Sequence, residues 1–159
     1  MKFKGGDWVD GNDILTERLT YLRNEVQYLK QERDATRYFK EYLDNVRLRR
    51  AVERGLQVSV EACLDIGRRI VAQQGFRYPE DNADVFRVLY EEKIVSSELL
   101  AALIDMAKFR NLVVHDYAHI DDAKVYGILK RHLSDFDAFA RVIVDYLQSH
   151  TETEQSGNG

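Results

Sequence analysis

The sequence predicts a single all-α bundle. Three observations carry that reading. Apolar residues recur at 4-3 spacing along nearly all of the 159 residues. No β-type alternation persists for five residues. Pro79 is the only proline, so little interrupts a helix.

Each element follows from its spacing. Leu15, Leu19, Leu22, Val26 and Leu29 form one stripe on one helix face, with Asn12 or Asp13 able to cap its start. A shorter piece runs from about Ala35 to Asp44, with Tyr38, Phe39, Tyr42 and Leu43 apolar. The next helix is long, roughly Arg47 to Gln74. Val52, Leu56, Ser59, Cys63, Ile66 and Ile70 make one stripe, and Leu48, Ala51, Gly55, Val58 and Ala62 make a second beside it. Two adjacent stripes predict contacts on more than one side, as for the central helix of a bundle. Gly75 and Pro79 end it. A short helix spans about Asp81 to Lys93. Ser96 or Ser97 then caps a helix carrying Leu99, Leu100, Leu103, Ile104, Met106 and Ala107. Asp121 or Asp122 caps the last, which shows Val125, Leu129, His132, Phe136, Phe139, Ile143 and Tyr146 as one unbroken stripe. Residues 1–12 are expected to be a flexible extension, 13–147 the helical domain, and 148–159 a polar, disordered tail.

Composition narrows the function classes. Apolar residues at 45% and charged residues at 31% give an ordinary globular balance. No apolar run approaches a membrane span, and no apolar segment follows the basic start to make a secretory signal, so a cytoplasmic protein is expected. One cysteine, Cys63, rules out an internal disulfide and a four-cysteine zinc site, and its place in an apolar stripe predicts a small core residue. A net charge of −4 argues against a protein that coats nucleic acid non-specifically. Basic groups are nonetheless gathered: Arg47, Arg49, Arg50 and Arg54, with Arg68, Arg69 and Arg77 further on. Arg47, Arg50 and Arg54 share a helix face. That face is either an edge that tracks RNA phosphates or a solvated surface balanced by Glu53 and Glu61.

The chemistry concentrates in Phe109-Arg110-Asn111-Leu112-Val113-Val114-His115-Asp116-Tyr117. An arginine clamps a phosphate by bidentate hydrogen bonds, and a histidine moves a proton near neutral pH. Together they suffice to cleave an RNA phosphodiester without a metal or other cofactor. An imidazole takes the 2′-hydroxyl proton while another group protonates the leaving oxygen, the guanidinium stabilises charge on the pentacoordinate phosphate, and a 2′,3′-cyclic phosphate and a 5′-hydroxyl result. Five residues in a regular helix separate Arg110 and His115 by about 140°. Either the helix distorts or ends between them, or the site is completed from elsewhere, for instance by a two-fold dimer. Asn111 braces the motif. Asp116 either orients an imidazole or is an exposed acid. Plainer roles remain open: Arg110 paired with Asp105 or Asp116, His115 satisfied in the core, Tyr117 an interface aromatic. His115 and His119 have the i,i+4 spacing of two zinc ligands, but no third ligand follows and no metal is expected. His132 and His150 read as structural.

The chain resembles the HEPN superfamily of all-α ribonucleases and related domains, and within it the HepT toxins, whose pattern is Arg-x4-His-x-Tyr. Arg110, His115 and Tyr117 satisfy that pattern position for position. The segment from Arg50 to Val58, Tyr78-Pro79, Phe109-Arg110-Asn111 and Asp121-x-x-Lys124-Val125-Tyr126 also fit, so residues 13 to 147 are covered. Leu112 replaces a commonly polar position and Val113 a leucine, which leaves the functional positions intact. The resemblance implies a homodimeric bundle whose two motifs line a shared cleft. It implies a toxin of a type VII toxin–antitoxin system that cleaves tRNA or mRNA. It further implies a partner, a minimal nucleotidyltransferase antitoxin of the MntA type, which transfers AMP to Tyr117. A catalytically silent HEPN helper that binds a nucleotidyltransferase or nucleotide is the alternative, and the intact Arg110–His115 pair favours the enzyme.

Overall fold

A computed structural model describes the backbone of residues 6–157, and the side chains from Asp13 to Gly157 except that of Glu154. Seven α-helices occupy the described residues: α1 (Gly6–Ala35), α2 (Phe39–Asp44), α3 (Val46–Gln74), α4 (Asn82–Glu91), α5 (Ser97–His115), α6 (Asp122–Arg131) and α7 (Leu133–Ser156). A 3-10 turn, Tyr117–His119, lies between α5 and α6. No strand occurs among the described residues.

The stripes become the core. Leu15, Leu19, Leu22, Val26 and Leu29 of α1 are buried, as are Val52, Leu56, Cys63, Ile66 and Ile70 of α3. The paired stripes of α3 do make it central: it packs against α1, α2, α4, α5, α6 and α7. Asn45 caps its start by accepting from the Leu48 amide, and Gly75, at φ 66°, ends it in the left-handed region where a glycine costs least. Asp81 caps α4, Ser96 caps α5 and Asp121 caps α6, each with its side chain on a backbone N–H.

Several boundaries differ from expectation. The helix α1 starts at Gly6, so positions 12 and 13 fall inside it rather than at its start; residues 1–5 of the expected extension lie outside the described residues. The last stripe is broken in two. His132, at φ −120°, closes α6 through its N–H to the Ile128 carbonyl and precedes α7. The break changes one position of the stripe: Leu133 is buried in place of His132, whose side chain is exposed beside Asp135, while Phe136, Phe139 and Ile143 stay on the buried face. The polar tail is helical to Ser156 rather than disordered. No glycine or proline interrupts residues 148–156, and the Thr151 and Thr153 hydroxyls bond back to the carbonyls four residues earlier. In α2 only Tyr42 is buried; Tyr38, Phe39 and Leu43 are exposed.

The helices α3 and α4 meet where a side chain is missing. A Cβ on Gly67 would lie 2.7 Å from Val85 Cγ1, and Val85 is itself buried. A β-branched neighbour has little freedom to give. Overpacking of about 1–3 kcal/mol therefore competes with a helix-propensity gain of up to about 1 kcal/mol. Gly67→Ala is expected to lower stability by about 1–2 kcal/mol in urea denaturation; a gain in stability would mean that the two helices separate at no cost.

Candidate active site

The motif residues sit at the C-terminal end of α5. The helix does not end between Arg110 and His115; it remains regular through both and stops at His115. The two side chains therefore keep their offset of about 140°, and their environments differ accordingly.

Arg110 is three-quarters buried and held on two sides. Its Nε donates to Glu61 Oε1 of α3 at 3.2 Å, and Nη1 donates to Asn111 Oδ1 at 3.3 Å. The partner is Glu61, not Asp105 or Asp116. Gln57 donates to the same Glu61 oxygen at 3.0 Å. Asn111 braces the motif as expected: its Oδ1 also accepts from Asn82 Nδ2 at 3.0 Å, and Asn82 in turn accepts from Arg68. A polar relay thus runs from Arg68 through two amides to Arg110. The other guanidinium N–H groups remain available to a ligand.

His115 is exposed, and its imidazole makes no hydrogen bond among the described residues. It is not a packed core histidine. Asp116 does orient an imidazole, but that of His119, whose Nδ1 it contacts; this pairing raises the His119 pKa. His115 closes the helix and His119 belongs to the turn beyond it, so the two do not share the helical face that a zinc pair needs.

Tyr117 is 57% exposed, and its Oη donates to Glu53 Oε2 of α3 at 3.1 Å. Glu53 is only 7% exposed. Its burial pushes the carboxyl above the usual range, and the hydrogen bond from Tyr117 pulls the other way; Asp122 adds to the rise, and Arg49 and Arg50 oppose it. The same bond raises the Tyr117 pKa, so the shared proton rests on the phenol. Tyr42 is fully buried nearby, with its pKa pushed up first by burial and then by the Glu53 charge.

Arg47, Arg50 and Arg54 are exposed on α3, and no salt bridge engages them among the described residues. Glu53 and Glu61 form no salt bridge with them, because those carboxylates turn to Tyr117 and Arg110, although the Arg50 charge still acts on Glu53. Arg49 pairs with Asp122 at 3.2 Å, Arg69 with Asp65 at 3.1 Å, and Arg77 is committed to Asp84 and Glu91, so none of these extends the open edge.

The residues that sequence reasoning did not assign to the site are Glu53, Glu61, Gln57 and Asn82. A signal was present for the first two: carboxylates on a helix with two apolar stripes must find partners or be expelled. Which partner each finds depends on how α5 lies across α3.

Comparison with known proteins shows what the chain is similar to. The family profile described as Ribonuclease HepT-like matches residues 19–143. The mRNA nuclease HepT of Shewanella oneidensis is 30% identical over 132 residues, 83% of this chain and 97% of that protein. The tRNA nuclease HepT of Aphanizomenon flos-aquae is 25% identical over 134 residues, 84% of this chain and 90% of that one. Among solved structures, the tri-AMPylated Shewanella oneidensis HEPN toxin in complex with MNT antitoxin aligns with a TM-score of 0.77 at 27% identity, over 84% of this chain and 98% of that one. The chain belongs to the ribonuclease HepT-like family.

Asn111→Ala removes the acceptor shared by Arg110 and Asn82. It is expected to cost about 1–3 kcal/mol, the range for leaving partly buried donors unmatched, and to broaden the Arg110 Nε–H NMR resonance. A sharp, unshifted resonance would show that Glu61 alone holds the guanidinium.

Proposed function

We propose that this chain is the metal-independent endoribonuclease toxin of a toxin–antitoxin pair. The observation that carries the reading is the split environment at the end of α5: a guanidinium braced by Glu61 and Asn111 stands ahead of an open, unpartnered imidazole. His115 takes the proton of an RNA 2′-hydroxyl as that oxygen attacks phosphorus. The N–H groups of Arg110 not used by the protein stabilise the pentacoordinate charge, and the 5′-oxygen leaves as a hydroxyl, taking its proton from a second acid. Membership of the ribonuclease HepT-like family and its mRNA and tRNA nuclease relatives support RNA as substrate. Arg47, Arg50 and Arg54 extend the cleft as a phosphate-tracking edge. Such a substrate places the protein's work in the cytoplasm; no described helix is long and apolar enough to cross a membrane.

The regular helix through Arg110 and His115 favours a homodimer. A second copy across a two-fold axis brings another imidazole to each guanidinium, which one straight helix does not do. Control falls on Tyr117. An MntA-type nucleotidyltransferase antitoxin transfers AMP to its phenol, and the added phosphate repels the RNA phosphate from the cleft. The antitoxin complex of the Shewanella oneidensis relative, with its AMPylated toxin, supports this.

Purified protein incubated with total tRNA and mRNA in EDTA is expected to cleave RNA and leave cyclic phosphate ends. His115→Ala is expected to fold normally, since the side chain is exposed and unbonded, and to lose about 10²–10⁴ in rate. Arg110→Lys is expected to fail as well, because an ammonium does not reproduce the planar fork. Cleavage at the wild-type rate by a folded His115→Ala protein would remove the mechanism.

Tyr117→Phe is expected to take no AMP from the antitoxin and to remain toxic in its presence. Mass spectrometry and growth assays read the two halves separately. An AMP adduct on another tyrosine would remove Tyr117 from its role.

A further inference from the structure

We propose that Glu53 is the proton acceptor that makes the Tyr117 phenol a nucleophile for group transfer. The role rests on the reading of Tyr117 as the residue that receives AMP. It adds a catalytic group supplied by the acceptor chain itself.

Three observations carry it. The Tyr117 Oη directs its proton inward, to Glu53 Oε2 at 3.1 Å, while the residue is 57% exposed, so the phenol can be approached from solvent as its proton is drawn from behind. Glu53 comes from α3, 64 positions earlier in the chain, and is anchored in the core rather than on the turn that carries Tyr117. The polar nest under the phenol also contains buried donors without partners among the described residues: the Tyr42 hydroxyl and Arg49 Nε–H. Donors not committed to another acceptor are free to turn toward Glu53 as its charge changes during a reaction.

The step balances. The Tyr117 O–H bond breaks and its proton passes to Glu53. The phenolic oxygen forms a bond to the α-phosphorus of a nucleoside triphosphate, and the bond from that phosphorus to the bridging oxygen breaks, with pyrophosphate leaving. Afterwards Glu53 is a neutral acid beside the new phosphodiester, so no two anions are forced together. Burial, which raises the carboxyl's proton affinity, favours that product state and makes Glu53 a better base than a solvated carboxylate. The groups that set its titration are Tyr117 in the turn, Tyr42 on α2, Arg49 and Arg50 on α3, and Asp122 on α6.

The sign of the pH dependence follows. Glu53 serves as base only when ionised, so its contribution falls as pH drops through its raised pKa, above the ordinary glutamate range of about 4.3.

The test uses the full chain and N-acetylimidazole, an electrophile that acetylates phenols without any enzyme. Tyr78, 92% exposed, is the internal reference, and mass spectrometry gives the ratio of Tyr117 to Tyr78 modification across pH. Glu53→Gln preserves shape and an acceptor oxygen but is a poor base. It is expected to lower the ratio about 10²-fold and to flatten its pH profile, with circular dichroism unchanged. Glu53→Asp is expected to recover part of the rate and the pH-dependent limb, which a merely structural role would not restore. An unchanged ratio in Glu53→Gln overturns the proposal. A higher ratio also overturns it, since Glu53 would then mask the phenol. In parallel, an MntA-type nucleotidyltransferase with ATP is expected to modify Glu53→Gln more slowly than the wild-type chain. If the wild-type Tyr117 takes no AMP while acetylation still depends on Glu53, the failure belongs to the acceptor reading and not to Glu53.

Discussion

The burial of α3 against every other helix is the constraint on which the rest depends. A 29-residue helix with two adjacent apolar stripes satisfies itself only when surrounded. The surrounding helices are then fixed by which part of α3 they cover. Gly55 and Gly67 set two of those approaches, since a Cβ at either would meet Leu29 or Val85 below 3 Å.

That enclosure creates an electrostatic problem which the motif resolves. Glu53 and Glu61 lie eight residues apart on α3, on faces that the bundle covers or nearly covers. A carboxylate removed from water needs donors. Arg110 and Gln57 each supply one to Glu61, and Tyr117 supplies one to Glu53. Two of the three motif side chains are thus anchored to the same central helix, while His115 between them stays free. The arrangement holds the Arg110 guanidinium in place and leaves the His115 imidazole open to solvent.

The charge distribution is equally uneven. The net charge of −4 belongs to the whole chain, but acids and bases are not mixed at random. Arg49, Arg69 and Arg77 are each spent on a carboxylate, whereas Arg47, Arg50 and Arg54 are exposed with no salt bridge among the described residues. A phosphate chain would meet the second set, and attraction confined to one edge is compatible with an acidic protein.

The sequence by itself determined the helical class, the stripes that form the core, the central place of α3 and the Arg110-to-Tyr117 stretch on which the family resemblance rests. Each of these depends on periodicity or on local residue type, which a single chain displays directly. Capping was legible to within one residue at Ser96 and Asp121 for the same reason. The break at His132 was not: the 4-3 spacing passes through it unbroken, and only the packing of the bundle puts Leu133 rather than His132 on the buried face. The helical tail was missed because its polarity suggested disorder, although nothing in it stops a helix. The tertiary structure alone decided that Arg110 pairs with Glu61, that Asn82 reaches Asn111, and that Glu53 grips Tyr117, contacts spanning 49, 29 and 64 positions. Contacts of that range leave no local pattern, because they depend on the angle at which one helix crosses another.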